Sequence, residues 1–437
     1  MLPWAVLLMV GIVVWDTFFR PEKVMQWPEG ERTYAAVVIA EPVAKPKTVA
    51  VDLLLLTKDR QKVRAYIHQD SASATLAVGD GLVFRSHIED VSDFRHGRFD
   101  YRRHMETHGF AGTVYVPARK WQKRQLSLQR LSLTERCRLY FMKLRHRLLL
   151  RYRDAGIEGD DYSVIAAMTL GDKSALTPEL RETYSVTGAS HVLALSGLHL
   201  TIVYSLVSIV LEGVFLRAAT QLLTVCCIWA FAFLVGLPPS VVRAATMLSL
   251  YALLSLGGRQ KMSLNVLAVT AIAMLIVSPR SLFDVGFQLS FLAVLGILLW
   301  MPIADGLVSG KYLQEHPVVK WLWGLVAVSM AAQMSVAPLV AYYFGRFPTW
   351  FLLTNLVAIP AATVILYVTP LALAMPQVGA PLLVGATRLL NTSLDVLARL
   401  PMASIDNLQP TAPLVALTYA LIFALNLFLR QKAPLRR

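Results

Sequence analysis

TGASHVLALSGLHLTI, residues 187–202, is apolar enough to enter a bilayer, yet it carries Ser190, His191, Ser196 and His199, with Gly188 and Gly197 where the backbone can loosen. Hydrocarbon offers no water to a polar group, so such groups face protein or a hydrated cavity. An ionisable and hydroxylic cluster inside an apolar segment therefore points to a functional site. Taken singly, each residue has a plainer reading: Ser and Gly allow close helix packing, and each His is satisfied by a neighbouring carbonyl.

Composition agrees with a membrane setting. The 437-residue chain is 56% hydrophobic and 16% charged, with mean hydropathy +0.53, as in integral membrane proteins. Its net charge of +14 is concentrated, because residues 119–153 hold 12 Lys and Arg against Glu135 alone. Cys137, Cys226 and Cys227 supply neither a disulfide framework nor a metal-binding spacing.

Upstream of the central stretch, residues 2–19 form an apolar run interrupted by Asp16. It is long enough to span and lacks the basic n-region and cleavage site of a signal peptide, so a retained anchor is expected over 1–19. Over residues 27–118 the runs TYAAVVIA, KTVAVDLLLL, QKVRAYIH, DGLVFRSHIE and FAGTVYVP, separated by turn signals, predict a small β-barrel or sandwich of five or six strands. Strand count does not by itself separate a barrel of the oligonucleotide-binding (OB) type from other small β folds.

Residues 119–155 are expected to carry a basic amphipathic helix. Ser132 and Glu135 form a capping box, and Leu133, Cys137, Tyr140, Phe141, Leu144, Leu148 and Tyr152 fall on one face. Arg136, Arg138, Lys143, Arg145, Arg147 and Arg151 fill much of the remainder. They suit contact with anionic headgroups or part of a polyanion track, and the two readings are compatible.

A helix over 160–170 ends at Gly171-Asp172-Lys173-Ser174, and Thr177-Pro178-Glu179 starts another. The tetrapeptide is not a phosphate loop, since Ala166 stands where the first glycine is required. Over 156–430, membrane segments are expected at 191–216, 220–236, 240–256, 263–278, 284–303, 321–343, 350–374, 380–400 and 411–429, with a basic tail over 431–437. Pro338, Pro360 and Pro370 suggest broken helices around a cavity. Arg217, Arg259, Lys261, Lys311, Lys320 and the tail fall on one side, Arg280 and Arg346 on the other, which puts the C-terminus in the cytoplasm and the β domain outside.

Arg243, Asp284, Gln288, Gln333 and Asn355 lie at depth or at helix starts. An unpaired Arg or Asp at mid-membrane costs roughly 2.5–3.5 kcal/mol, so an Arg243–Asp284 contact is one expected solution and snorkelling the other. For the three amides, hydrogen bonds between helices are expected.

Together these segments resemble the ComEC family of competence proteins. The matching elements are Gly171-Asp172-Lys173; the run from Gly188 through His191 to Leu193-Ala194-Leu195-Ser196-Gly197-Leu198-His199; Pro239-Ser240-Val241-Val242-Arg243-Ala244; Asp284-Val285-Gly286-Phe287-Gln288-Leu289-Ser290; Gln333 with Pro338; and Asn355 with Pro360. Gly97-Arg98-Phe99-Asp100-Tyr101 and Gly109-Phe110-Ala111-Gly112 resemble the end of the family's OB-like domain, with Arg95-His96 where the family usually has Asn-Pro. The resemblance implies a mainly α polytopic protein of the cytoplasmic (inner) membrane with a small extracytoplasmic OB-like β-barrel. It implies a channel for single-stranded DNA, a cytoplasmic DNA-translocating ATPase and an external DNA receptor as partners, and membrane lipids around it. Lys173, Ser190, His191, Ser196, His199, Arg243, Asp284, Gln288, Gln333 and Asn355 are then the candidates for the substrate path. Many family members also carry a metallo-β-lactamase-like nuclease domain, whose H-x-H-x-D-H cluster does not occur here. No enzymatic activity, cofactor or metal is expected of this chain, and the nuclease would be separately encoded. Two rival readings are an intramembrane serine hydrolase using Ser196 and His199 and a small-solute transporter.

Overall fold

The computed structural model describes residues 27–57, 60–91, 95–96, 99–102, 105, 109–125, 132–212, 217–256 and 264–432. The expected anchor over 1–19, most of the 431–437 tail, Gly97, Arg98, Arg259 and Lys261 lie outside the described residues.

The N-terminal runs form β1 (Arg32–Val38), β2 (Val43–Ala44), β3 (Thr48–Leu55), β4 (Lys62–His68), β5 (Gly81–Ser86), β6 (Ile88–Glu89), β7 (Arg95–His96), β8 (Phe99–Asp100), β9 (Phe110–Val116) and β10 (Trp121–Lys123). The main sheet runs β10-β5-β1-β3-β4-β9-β6, with β2 on β3 and the β7–β8 pair apart. Its one parallel pair is β4 with β9. Alternation sends Val63, Ala65 and Ile67 of β4 inward to meet Val51, Leu53, Phe84 and Val114. The expected barrel is not closed by a continuous ladder. β5 bonds to β1 and β6 to β9, but the segment that joins them leaves strand geometry at His87, so the sheet path stays open.

Helix α1 (Leu133–Asp154) starts at the expected capping box, with the Glu135 N–H donating to Ser132 Oγ and the Ser132 N–H to Glu135 Oε2. Its buried face differs from the one predicted. Leu139, Met142, Arg145, Leu149 and Tyr152 are buried, whereas Leu133 and Tyr140 are 78% and 62% exposed. The reason is that two bodies cover the helix. Leu139 and Met142 pack on Val37, Ile39, Leu54 and Val78 of the β domain, while Leu149 and Tyr152 enter the helical core beyond.

The helical region comprises α2 (Gly159–Ile165), which passes into a π-helical turn at Ala166–Leu170, then α3 (Pro178–Val186), α4 (Ser190–Leu193), α5 (Gly197–Leu211), α6 (Arg217–Leu234), α7 (Pro239–Leu256), α8 (Leu264–Val277), α9 (Val285–Leu307), α10 (Gly310–Glu315), α11 (Pro317–Phe344), α12 (Phe351–Ala374), α13 (Pro376–Ala398) and α14 (Ala412–Lys432). Among the described residues, four helices are long and apolar enough to cross a membrane: α9, α11, α12 and the Ala412–Gln431 part of α14. α5, α8, the Ala218–Leu234 part of α6 and the Pro239–Leu254 part of α7 are apolar but shorter. The protein is thus a mostly helical membrane protein with an N-terminal β-sheet domain. The expected span at 380–400 corresponds to α13, which is not among the long apolar helices. Its Leu383, Leu390 and Leu394 join a core with Ile165 and Tyr184, and its Arg388 Nε reaches Asp161 Oδ2 at 2.9 Å.

The prolines do not break their helices as predicted. α11 runs through Pro338, and α12 runs through Pro360 and Pro370. A proline removes one backbone bond, and a long helix packed among others absorbs that loss. The break falls instead inside the expected 191–216 span, where Ala194 and Ser196 are extended (ψ 121° and 175°) between α4 and α5.

Candidate functional site: a polar seam among apolar helices

The extended segment between α4 and α5 has backbone groups that neither helix satisfies. The Leu195 carbonyl accepts a 2.6 Å hydrogen bond from Ser240 Oγ in the first turn of α7. Ser196 caps α5. Its Oγ lies 3.0 Å from His199 Nδ1, and its backbone N–H points at the same nitrogen at 3.4 Å. Nδ1 therefore acts as the acceptor and the ring proton sits on Nε2. His199 is fully buried, and among the described residues its Nε2 has no partner in good hydrogen-bond geometry, with the Val192 carbonyl nearby. His191, by contrast, is exposed, with Nδ1 2.9 Å from the Gly188 carbonyl. Ser190 and Lys173 are exposed as well.

One turn beyond Ser240, Arg243 is buried. Its Nη2 donates to the Gly286 carbonyl at 2.9 Å, its Nη1 is 3.9 Å from Asp284 Oδ1, and its guanidinium lies 6.0 Å from the Phe287 ring centroid. Asp284 also caps α9 by accepting the Phe287 N–H at 2.8 Å. The predicted Arg243–Asp284 contact is thus formed, and the guanidinium does not snorkel away. Gln288 Nε2 donates to the Leu282 carbonyl at 2.9 Å, and its Oε1 accepts from Tyr343 Oη of α11 at 3.0 Å. Three motifs are linked in this way, from the Leu195-Ser196 segment through Ser240 and Arg243 to Asp284 and Gln288. Gln333 and Asn355 stay outside the seam. Both are half-buried, and among the described residues neither has the hydrogen-bond partner that was expected.

Two glycines allow this convergence. Gly171 adopts φ +72°, and a Cβ there would meet Leu195 Cδ1 at 2.6 Å. Gly188 adopts φ +81°, and a Cβ there would meet Pro348 Cγ at 2.7 Å. Both need the left-handed region and the absence of a side chain. The Gly171-Asp172-Lys173 turn and the 188–199 stretch are therefore pressed onto their neighbours by backbone, not by side chains.

The basic helix does not present its six predicted cations on one surface. Arg136, Lys143, Arg147 and Arg151 are exposed. Arg138 is half-buried, with no partner for its Nε among the described residues. Arg145 is buried, its Nη2 3.6 Å from Asp172 Oδ1 and its Nη1 donating to the Val235 carbonyl at 3.4 Å. Burial lowers the Arg145 pKa, and Asp172 and Glu41 oppose that shift. Burial likewise raises the Glu41 carboxyl, which lies 3.5 Å from His146 Nδ1. Arg145 thus joins α1 to the Asp172 turn, and Glu41 joins α1 to the β domain.

Sequence reasoning named Ser240 and Asp172 only as motif members and Arg346 only for orientation, and it passed over Tyr343. Arg346 binds Glu182 Oε1 at 2.8 Å, Ser185 Oγ at 2.9 Å and Asp406 Oδ1 at 2.5 Å, and so fastens α3 to two loops. A usable signal existed for Arg145, because positions 142, 145, 149 and 152 share helical spacing and a charge at such a position calls for a partner. Among the described residues no group of three His, Cys, Asp or Glu side chains is placed to hold a metal ion.

The family model described as "Competence protein" matches residues 168–432. Among curated proteins the chain is 27% identical over 343 residues to ComE operon protein 3 of Bacillus subtilis, covering 76% of this chain and 41% of that protein. It is 29% identical over 305 residues to competence protein ComA of Neisseria gonorrhoeae, covering 67% of this chain and 42% of that one. It is also 25% identical over 232 residues to the uncharacterized protein YcaI of Escherichia coli, covering 51% of this chain and 30% of that one. The chain therefore spans less than half the length of each of these relatives. No solved structure matches it.

Proposed function

Since the chain belongs to the competence protein family, we propose that it serves DNA uptake in transformation, with residues 156–430 forming the conduit that carries one strand across the cytoplasmic membrane. The observation that carries this reading is the polar seam. Buried Arg243 and His199, with Asp284 and Gln288 beside them, sit among helices that are otherwise apolar. A polyanion crossing hydrocarbon needs a hydrated path, cations for phosphates and flat groups for bases. Arg243 keeps its charge at any physiological pH and lies beside Phe287, so it fits such a path. Driving force and handover are assigned to partners: an ATPase on the cytoplasmic side, a DNA receptor outside and a separate nuclease. The β domain is proposed to face outward and to be OB-like, which the parallel β4–β9 pair within an otherwise antiparallel sheet supports.

The test is uptake of labelled DNA into cells lacking their own copy, with surface DNA digested away. The intact chain should restore uptake, and a His199→Ala, Arg243→Ala chain present in the membrane at equal level should lose it. Uptake unaffected by the double substitution would overturn the conduit.

The 3.0 Å Ser196–His199 contact favours a second reading, a membrane hydrolase. In such a dyad the second ring nitrogen is held by an orienting group, whereas His199 Nε2 is buried with no hydrogen-bond partner among the described residues. We therefore take the contact as the cap of α5. Ser196→Ala should leave uptake within about threefold and remove a cap worth about 1 kcal/mol in thermal stability. Complete loss of function in a stably folded Ser196→Ala protein would favour the hydrolase.

A further inference from the structure

The β domain meets α1 through a charged junction as well as through apolar contact. The Ile39 N–H donates to the Asp52 carbonyl at 2.9 Å, which fixes the start of the loop after β1 and brings Glu41 against α1. On α1, His146 lies one turn beyond Met142, at the edge of the face that packs on Val37, Ile39, Leu54 and Val78. The Glu41 side chain is 12% exposed, and its Oε1 has no hydrogen-bond partner among the described residues, with His146 Nδ1 3.5 Å away. That contact is an ion pair only when the ring is protonated. Arg145, the preceding residue, reaches the other way to Asp172 and the Val235 carbonyl.

The charges at this junction balance only when a proton is bound. Among the described residues, Glu41 faces Arg145 and His146 of α1, Asp172 of the turn and the Tyr162 hydroxyl of α2. Arg153 is taken up by the Tyr162 ring, 4.9 Å from its centroid, Lys173 of the same turn faces Arg181, and Lys143 lies along Gly79 of the β domain. Two carboxylates therefore share one guanidinium in a buried place, where an unpaired charge is costly. One proton restores neutrality, on the Glu41 carboxyl or on the His146 imidazole, the type of side chain that gains and loses charge near neutral pH. Burial raises the Glu41 pKa and Asp172 adds to the rise, while His146 and Arg145 oppose it. A carboxyl raised in this way holds its proton more tightly docked than free. Docking is thus favoured as pH falls and loses that contribution as pH rises through the docked pKa. We propose that Glu41, His146, Arg145 and Asp172 form a proton-operated latch, which holds the β domain on α1 while one proton is bound and loosens when that proton leaves. The latch does not depend on the proposed DNA uptake.

The experiment reads opening of the junction as thiol labelling of Leu139→Cys, a position buried against the β domain. It uses the full chain in nanodiscs with the exposed Cys137, Cys226 and Cys227 changed to Ser. Rates are divided by those of the denatured chain at each pH, which removes the titration of the thiol itself. Protection should fall as pH rises from about 5.5 to about 8.5, by no more than about tenfold per pH unit, the limit for one proton. Glu41→Gln keeps the shape and removes the charge, so its protection should stay within about twofold over that range and exceed the parent's at the alkaline end. His146→Lys supplies a fixed cation and should flatten the profile as well. Because Leu139→Cys trims the apolar contact, the unfolding midpoint is also followed by tryptophan fluorescence in chains that keep Leu139. There the gap between Glu41→Gln and the parent should widen in favour of Glu41→Gln as pH rises. A flat profile for the parent, a parental slope in Glu41→Gln or His146→Lys, or a gap in midpoint that does not change with pH overturns the latch.

Discussion

Replacing Arg145 with alanine should destabilise the protein in nanodiscs by about 3–5 kcal/mol, read from denaturant midpoints of tryptophan fluorescence. The size follows from what is left behind. Arg145 and Asp172 have side chains only 8% and 7% exposed, and without the guanidinium the carboxylate keeps only Ser174, through its N–H at 3.1 Å and its Oγ at 3.0 Å. A buried charge stripped of its partner is far costlier than a buried pair replaced whole. Arg145→Met combined with Asp172→Asn should therefore recover most of the loss, although the double variant removes more polar groups than the single one. A change within about 0.5 kcal/mol for Arg145→Ala would show that the pair is hydrated and structurally idle. The consequence extends beyond α1, because Asp172 follows Gly171, which is packed on Leu195 next to the Ser196 cap. Loosening the Arg145–Asp172 pair frees the turn on which the extended segment rests.

Arg145 also shows where sequence reasoning stopped. The strands, the basic helix and most helical segments were legible, because alternation and three- or four-residue spacing survive in any context. The motif residues His199, Arg243, Asp284 and Gln288 stood out because polar groups in apolar runs are costly, and the structure brings them together. What the pattern could not supply was which of several amphipathic faces is buried. Leu133 and Tyr140 fall on the apolar face that spacing predicts for α1, yet they are exposed. The face that wins is set by two bodies docking on one helix, a long-range fact with no local signature. Prolines misled for a related reason. Pro338, Pro360 and Pro370 read as breaks, but packing holds α11 and α12 continuous. The true interruption, at 194–196, has no proline and is held by the hydroxyl of Ser240. Gln333 and Asn355 stood out on the same grounds as Gln288 and found no partners among the described residues, so polarity alone does not identify members of the seam.

The same dependence on close backbone approach makes Gly296 a sensitive small residue between α9 and α11. A Cβ at 296 would lie 2.0 Å from Ser335 Oγ, 2.5 Å from Ser335 Cβ and 2.7 Å from the Ala331 carbonyl of α11. Small residues let membrane helices pack this tightly, and here the contact is clamped further, since Tyr419 of α14 donates to the Ser335 carbonyl at 2.9 Å. Gly296→Ala cannot be accommodated by a rotamer change alone, because a carbonyl is among the atoms in the way. α9 and α11 must part, and eight residues along each helix that separation strains the Gln288–Tyr343 bond at 3.0 Å, the last link of the polar seam. The substitution should cost about 1–3 kcal/mol in the same unfolding measurement and lower DNA uptake as well. Adding Ser335→Gly removes two of the three clashes and leaves the Ala331 carbonyl. The double variant should therefore be more stable than Gly296→Ala alone, with an interaction energy of about 0.5 kcal/mol or more. If Gly296→Ala is neutral, or if Ser335→Gly rescues nothing, the two helices are not held at this spacing and the seam does not depend on their contact.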